Sequence, residues 1–252
     1  MKKLWKLLIF TLALSGCQGS NTVAPSTGVS TTSTQGKAGS MARFGIVGNV
    51  LYTLTGDKIR LFDISVSSNP SEKSTILLGT GVETIFPYQD KLFFGSTTGM
   101  LIYDNTDPFA PKYLSRYNHI MSCDPVAVDG NYAYVTLRSG TRCHNYVNTL
   151  DIVDLSDLSN PKLAHSYSMT NPHGLGIDNH TLFLCDGNAG LKIYDVSSPL
   201  TLVVKAEYKN INTFDVIPNN RTLVMVGDSG IYQYDYSNLN SITLESQIKV
   251  KP

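Results

Sequence analysis

The chain has 252 residues, with 20 Lys and Arg balanced by 20 Asp and Glu. A net charge of zero excludes the basic footprint that nucleic-acid binding requires. Beyond residue 40 about 212 residues remain, enough for one sizeable hydrophobic core, and no apolar run among them is long enough to span a bilayer as a helix.

In chain order, the first feature is a positive n-region (Lys2, Lys3, Lys6) followed by the short apolar stretch "LLIFTLALSG", too short for an ordinary transmembrane helix. The stretch ends in "LSGC", which resembles the lipobox of bacterial lipoproteins. That resemblance implies cleavage after residue 16 and thioether lipidation of Cys17 with acyl chains (palmitate among them), an anchor to the membrane. An ordinary signal peptide with a chance cysteine is the alternative. Several acyl chains, at about 0.8 kcal/mol per buried CH₂, hold a protein on a membrane durably. In the Gram-negative lipoproteins that this segment resembles, an aspartate after the cysteine favours the inner membrane. Gln18 stands there instead, so the outer membrane is expected.

Residues 17–40 then form a tether. Of the 23 residues from Gln18 to Ser40, 14 are Ser, Thr or Gly, so nothing in the segment builds a core. Its typical reach is roughly 25–29 Å. Loss of the three signal lysines leaves 17 basic against 20 acidic residues, and the single tryptophan, Trp5, is lost with them.

From residue 41 to 252 one phrase recurs: "KIRLFDISVSSNP", "GMLIYDNTDPFAP", "NTLDIVDLSDLSNP", "AGLKIYDVSSP" and "SGIYQYDYSNLN". Its aspartates are Asp63, Asp104, Asp154, Asp195 and Asp235, spaced 41, 50, 41 and 40 residues apart, a period that marks a repeat architecture. Apolar residues alternate within each phrase, as in Leu191 and Ile193 against Lys192 and Tyr194. A second strand precedes the phrase ("KLFFGST", "TLFLCDG"), joined to it by a turn at Gly56, Gly99, Gly190 or Gly230. A first strand precedes that pair and a fourth follows ("PKYLSRY", "LVVKAEY"). Four short strands per repeat with no helical periodicity predict an all-β fold, a five-bladed β-propeller with four antiparallel strands per blade. An open β-solenoid is the runner-up, and the "GH…WD" signature of WD40 blades is absent. Each phrase aspartate is expected to accept a bond from the backbone two residues on and turn the chain. A metal role would need a second carboxylate at ligand spacing.

"LDIVDLSDLSNPKL" and "LKIYDVSSP" resemble the LVIVD repeat of bacterial propeller lipoproteins, over about residues 41–250. "YDYSNLNSI" in the fifth repeat departs from it by lacking the proline. The resemblance implies a propeller with an assembly or binding role and supplies no catalytic residue.

Stacking the repeats in register brings Arg43, Glu83, Asp124, His173 and Asp215 to the starts of the first strands, hence to one channel mouth. Arg43 is expected to pair with Asp215 as blade 5 closes onto blade 1. His173, in "NPHGLG", either closes the wall by hydrogen bonding or meets a ligand. The third repeat carries about nine extra residues, "SGTRCHNYVN", between its second and third strands, on that same face. Cys123 and Cys143 both fall near this rim, making them the leading disulfide candidate in an exported protein, a bridge worth about 3 kcal/mol. Cys185 is then left over, as a small buried hydrophobe.

No histidine cluster has metal-ligand spacing, and neither a phosphate-binding glycine loop nor a G-x-S-x-G elbow occurs. No cofactor is expected. The reading is a lipid-anchored binding or scaffold module of the bacterial cell envelope, whose partner is an envelope protein or glycan. The alternative is a glycoside hydrolase or lyase using Glu83, Asp124 and Asp215, which would place two carboxyl groups about 5–5.5 or 6.5–9.5 Å apart.

Overall fold

Alternating apolar residues and Gly- or Asx-based turns fold the chain into twenty strands. The computed structural model describes residues 39–118, 125–140 and 147–250. Blade 1 contains β1 (Phe44–Val47), β2 (Val50–Thr55), β3 (Lys58–Asp63) and β4 (Ser71–Leu77). Blade 2 contains β5 (Val82–Tyr88), β6 (Lys91–Ser96), β7 (Gly99–Asp104) and β8 (Lys112–Asn118). Blade 3 contains β9 (Val126–Asp129), β10 (Tyr132–Leu137), β11 (Thr149–Asp154) and β12 (Lys162–Ser168). Blade 4 contains β13 (Leu175–Asp178), β14 (Thr181–Cys185), β15 (Leu191–Asp195) and β16 (Val203–Tyr208), and blade 5 contains β17 (Thr213–Asn219), β18 (Thr222–Gly227), β19 (Gly230–Asp235) and β20 (Thr243–Lys249). Each blade is an antiparallel meander in sequence order. The five together are arranged as a β-propeller.

The repeated aspartates turn the chain as their position requires. The backbone N–H groups of Ser65, Ser156, Ser197 and Ser237 donate to Asp63, Asp154, Asp195 and Asp235 at 2.9, 2.8, 2.9 and 2.7 Å, and the Thr106 hydroxyl donates to Asp104 at 2.8 Å. These bonds favour the carboxylate and hold all five acids below their ordinary range. A second Asx turn, which the spacing alone does not announce, follows in three blades at Asp107, Asp157 and Asn238.

Three of the turn glycines serve a different need. A Cβ at Gly99, Gly190 or Gly230 would stand 2.0 Å from a carbonyl oxygen of the fourth strand (Tyr117, Tyr208 and Ile248), and all three have positive φ. Only glycine admits that approach. Gly56 sits in open space within its turn at φ 62. In every blade the register between third and fourth strands slips once, before Phe62, Tyr103, Val153, Tyr194 or Tyr234. Such bulges add twist to the outer strand.

The core consists of joints between blades. One face of blade 1 (Tyr52, Ile59, Leu61) packs on Leu92, Phe94 and Tyr103 of blade 2. Phe93, Met100 and Ile102 pack on Ala133, Val135 and Val153. Tyr134, Leu150 and Ile152 pack on Leu182, Leu184 and Tyr194. Phe183, Leu191 and Ile193 pack on Leu223, Met225 and Tyr234. The same position of the second strand thus supplies Tyr52, Phe93, Tyr134 and Phe183, between 0 and 2% exposed, each worth about 1.5–3 kcal/mol of burial.

The fifth joint is different. No hydrophobic cluster among the described residues joins blade 5 to blade 1. The inner strands pack in succession, β1 on β5, β5 on β9, β9 on β13 and β13 on β17, without comparable packing of β17 on β1. Among the described residues, blades 2 to 4 therefore bury both faces between neighbours, whereas blades 1 and 5 each have one face that no hydrophobic cluster covers. Phe44 and Ile46 on blade 1, and Val226, Ile231 and Ile248 on blade 5, are exposed.

Candidate functional site

The first strands begin where the second strands end, as the pairings Phe44↔Thr53 and Leu175↔Leu184 show. Loops between second and third strands leave from this same end of each blade, and in blade 3 Leu137 and Thr149 bound the longest of these connections. Its base is fixed: Asn148 accepts from the Ser139 N–H at 2.8 Å and donates to the Thr170 carbonyl at 2.8 Å. Asp124, Cys123, Cys143 and Cys17 lie outside the described residues.

His173 is built into the wall. Its N–H donates to the Cys185 carbonyl at 2.7 Å, and its carbonyl accepts from the Thr136 hydroxyl of blade 3 at 2.6 Å. Its ring lies 5.3 Å from that of Phe214. Nη1 of Arg138 stands 3.0 and 2.9 Å from the two ring nitrogens. Burial, with the neighbouring guanidinium, pushes the imidazole down to about 4, so it is neutral at pH 7. Pro172 and Gly174 bracket it for a packing reason. The Gly174 N–H donates to the Phe214 carbonyl at 2.8 Å, and a Cβ there would stand 2.0 Å from Oδ1 of Asp215.

Asp215 is half-buried, flanked by the segment that precedes β1. Burial pushes its carboxyl up to about 6, against opposing bonds from the backbone of Val216 and Met41 and the Ser40 hydroxyl. Oδ2 would lie 2.5 Å from a Cβ on Gly39. The Ser40 hydroxyl donates to Oδ1 at 3.4 Å and accepts from the Leu175 N–H at 2.8 Å. Among the described residues no ion pair joins Arg43 to Asp215; Arg43 is exposed, and the residues just before it take that place. Residues 39–42 fold through a turn (Ala42 N–H to Gly39 carbonyl, 3.0 Å) and reach blade 2, where the Ile85 N–H donates to the Ala42 carbonyl at 2.9 Å. This segment crosses the mouth from blades 4 and 5 to blade 2. Glu83 is half-buried on β5.

The most buried charge of this face is Asp186, which sequence reasoning missed. It is fully buried and accepts from Lys192 Nζ at 2.6 Å and from the backbone N–H of Asn171 at 2.7 Å and Thr170 at 3.1 Å. The signal was available in Lys192: that position of the third strand holds Leu101 in blade 2 and Tyr232 in blade 5, so a lysine there needs a partner. Cys185, next to Asp186, is fully buried and its thiol is pushed far up by burial, the opposite of a reactive cysteine. No group of three or more His, Cys, Asp or Glu among the described residues is placed to hold a metal ion.

A separate cleft of about 400 Å³ opens between blades 4 and 5, over Leu191, Met225, Ile211 and Tyr234 with Glu207 and Lys209 at its rim. Tyr208 ties its far side to blade 5, donating to the Leu239 carbonyl and accepting from the Ile242 N–H.

Residues 122–169 match the LVIVD repeat, a span that coincides with blade 3. No curated protein matches the chain. Among solved structures, it is similar to a functionally unknown protein from Desulfotomaculum acetoxidans DSM 771 (14% identity, TM-score 0.59, 81% of this chain and 67% of that one). It also resembles apo AztD from Citrobacter koseri (14%, 0.58, 78% and 59%) and the computationally designed Ika8 protein (13%, 0.55, 82% and 62%). These likenesses show the fold. The chain spans about six-tenths of the length of the first two of these structural relatives, Ika8 and AztD.

Proposed function

We propose that this chain, an LVIVD-repeat propeller, is a binding or scaffold module held in the bacterial cell envelope by a lipid on Cys17. It presents the face around the 139–149 insertion to an envelope protein or glycan. The observation that carries this reading is the use made of the charged groups at the mouth. Asp186 is saturated by Lys192 and two backbone donors, His173 is a neutral wall residue, and Asp215 sits between two glycines that leave no room for a methyl group. A glycosidase acid must reach its leaving oxygen, and both carboxylate oxygens of Asp215 are already in contact with the segment at Gly39 and Ser40. The insertion is anchored at its base to a rigid blade, the arrangement by which scaffolds carry recognition loops.

The test is affinity capture from envelope fractions with the full lipidated chain. Wild type is expected to recover a partner that is lost when residues 141–146 are replaced by Gly and Ser, and retained by Lys112→Ala on the outer strand of blade 2. Capture indifferent to the insertion overturns the assigned face. Release of reducing sugar from envelope glycan, abolished by Glu83→Gln, would overturn the binding reading in favour of hydrolysis. Cys17→Ser is expected to lose both fatty-acid label and membrane association.

A further inference from the structure

We infer that the cleft between blades 4 and 5 takes an apolar side chain, methionine or leucine, carried by an extended peptide segment of a partner protein.

The repeat itself shows what fits there, because the joint between blades 3 and 4 and the joint between blades 4 and 5 share a frame. Tyr167 and Tyr208 hold equivalent places on the fourth strand, paired with Leu150 and Leu191. Each hydroxyl donates to a turn carbonyl of the next blade, Leu200 or Leu239, and accepts from the N–H of Leu202 or Ile242. Tyr194 and Tyr234 hold equivalent places on the third strand of that next blade, paired with Leu182 and Leu223.

Two residues beyond the fourth-strand tyrosine the joints part. Met169 stands there in blade 3, packed into the cluster of its joint, and its Sδ accepts from the Tyr194 hydroxyl at 4.0 Å. Blade 1 has Leu78 at that place, packed in the same way into its joint with blade 2. Blade 4 has Asn210, which is exposed. The backbone follows the side chains. The N–H groups of Leu78 and Met169 donate to the carbonyls of Asp57 and Asn148, both at 2.9 Å, and so carry the pairing past the end of the strand. In blade 4 the fourth strand stops at Tyr208, one place earlier than in blade 3.

Asn210 and Tyr234, the counterparts of Met169 and Tyr194, both line the cleft, over a floor of Leu191 and Met225. The cleft therefore lies where the chain's own methionine packs one joint earlier. Its volume of about 400 Å³ exceeds one methionine side chain and leaves room for part of the segment that carries it.

Charge and the open sheet edge select the carrier. Lys209 Nζ pairs with Glu207 at 2.9 Å, so the two rim charges answer each other and favour an uncharged occupant. β16 is the last strand of its sheet, and its outer edge offers backbone donors and acceptors to an extended segment while the cleft receives the side chain. This cleft is separate from the blade 3 insertion, and capture through that insertion does not depend on it.

The test uses the full lipidated chain in nanodiscs, with methyl-labelled methionine and the capped probes acetyl-Thr-Met-Thr-amide and acetyl-Thr-Leu-Thr-amide. The Met225 methyl resonance, assigned through Met225→Leu, is expected to shift saturably with both probes, at millimolar half-saturation, and not with the Glu- or Lys-centred analogues. Asn210→Met supplies the side chain from within; it is expected to raise Tm by a few degrees and to weaken both probes at least tenfold. Asn210→Ala is expected to leave their binding in place. No saturable shift below about 10 millimolar, equal binding of the charged analogues, or binding unchanged by Asn210→Met overturns the inference. Methyl ethyl sulfide, the bare methionine side chain, binding as tightly as the peptides would assign the cleft to a small apolar molecule and overturn it too. Should Asn210→Met disturb folding, nuclear Overhauser contacts between the probe methyl group and the Tyr234 ring of wild type decide it: their presence supports the site, and their absence overturns it.

Discussion

Blades 2 to 4 and the two end blades spell the same phrase, yet they are buried differently. In the inner blades the middle strands are buried on both faces, so β6 reads Leu92-Phe93-Phe94 and β7 Leu101-Ile102-Tyr103 without a polar break. In blades 1 and 5 the same strands alternate between buried residues and half-buried or exposed ones, as in β2 and β19. All five blades nevertheless have the same four strands, the same Asx turn and the same slip between third and fourth strands. Blade geometry is therefore local, fixed by turn chemistry and alternation, whereas the energy of a blade comes from its neighbours. That is the division expected of a repeat protein, in which intrinsic and interface terms are separate.

The sharpest way to break this comparison is to truncate equivalent residues. Phe183→Ala, in the joint between blades 4 and 5, is expected to cost about 3–5 kcal/mol. Val224→Ala at the equivalent, half-buried position of blade 5 is expected to cost under about 1 kcal/mol. Urea denaturation of both variants checks the contrast; equal losses would mean that the fifth joint is packed like the rest.

Lys192→Met leaves Asp186 buried without its cation and is expected to cost about 3 kcal/mol, read as a shift in urea midpoint. Lys205→Met, which removes the half-exposed partner of Asp195, should leave the midpoint unchanged.

A smaller effect depends on pH. The Asp215 carboxyl is raised in the folded state, so the fold favours its protonated form. Its contribution to stability is fully present below the unfolded value near 4 and is lost as pH rises through about 6. Asp215→Asn is therefore expected to raise Tm relative to wild type at pH 8 and to lose that advantage by pH 4. His173 acts in the same range with its own sign. Its folded value lies below the ordinary one near 6.5, so its contribution is present above that value and is lost as pH falls toward about 4. His173→Gln is thus expected to flatten the acid limb of a Tm–pH profile, and its burial means that His173→Ala lowers stability in addition.

The smallest expected change is at the turns. Asp154→Asn keeps the side-chain acceptor and should shift Tm by less than about 1 °C, and Asp154→Ala by a few degrees at most. Because the aspartate is held below its ordinary range by Ser156, the difference between wild type and alanine is present above pH 4 and fades as pH falls below it.

Much of this was legible in the residues. The period, four strands per blade and the phrase aspartate as a turn acceptor all follow from chemistry within a few positions of Asp63 or Asp195. The buried aromatic in the second strand was equally open to reading, since Tyr52, Phe93, Tyr134 and Phe183 recur in register. Lys192 in an apolar strand pointed to a buried acid, although not to Asp186 in particular. His173 stood out in the sequence, and its companions Arg138 and Thr136 did not, being on another blade.

What the sequence determined by itself is the blade, because strand alternation, Asx turns and a glycine under a neighbouring carbonyl are short-range requirements that each repeat satisfies alone. Only the tertiary structure decided how the ends of the repeat array are used. Ser40 bonds to residues 135 and 175 positions away, Leu175 and Asp215, and in doing so it places residues 39–42 at Asp215 where Arg43 was expected. No local pattern records such a contact. A turn's energy depends on neighbours along the chain, whereas the contacts of Asp215 and the uncovered faces of blades 1 and 5 depend on which surfaces the completed array brings together in space.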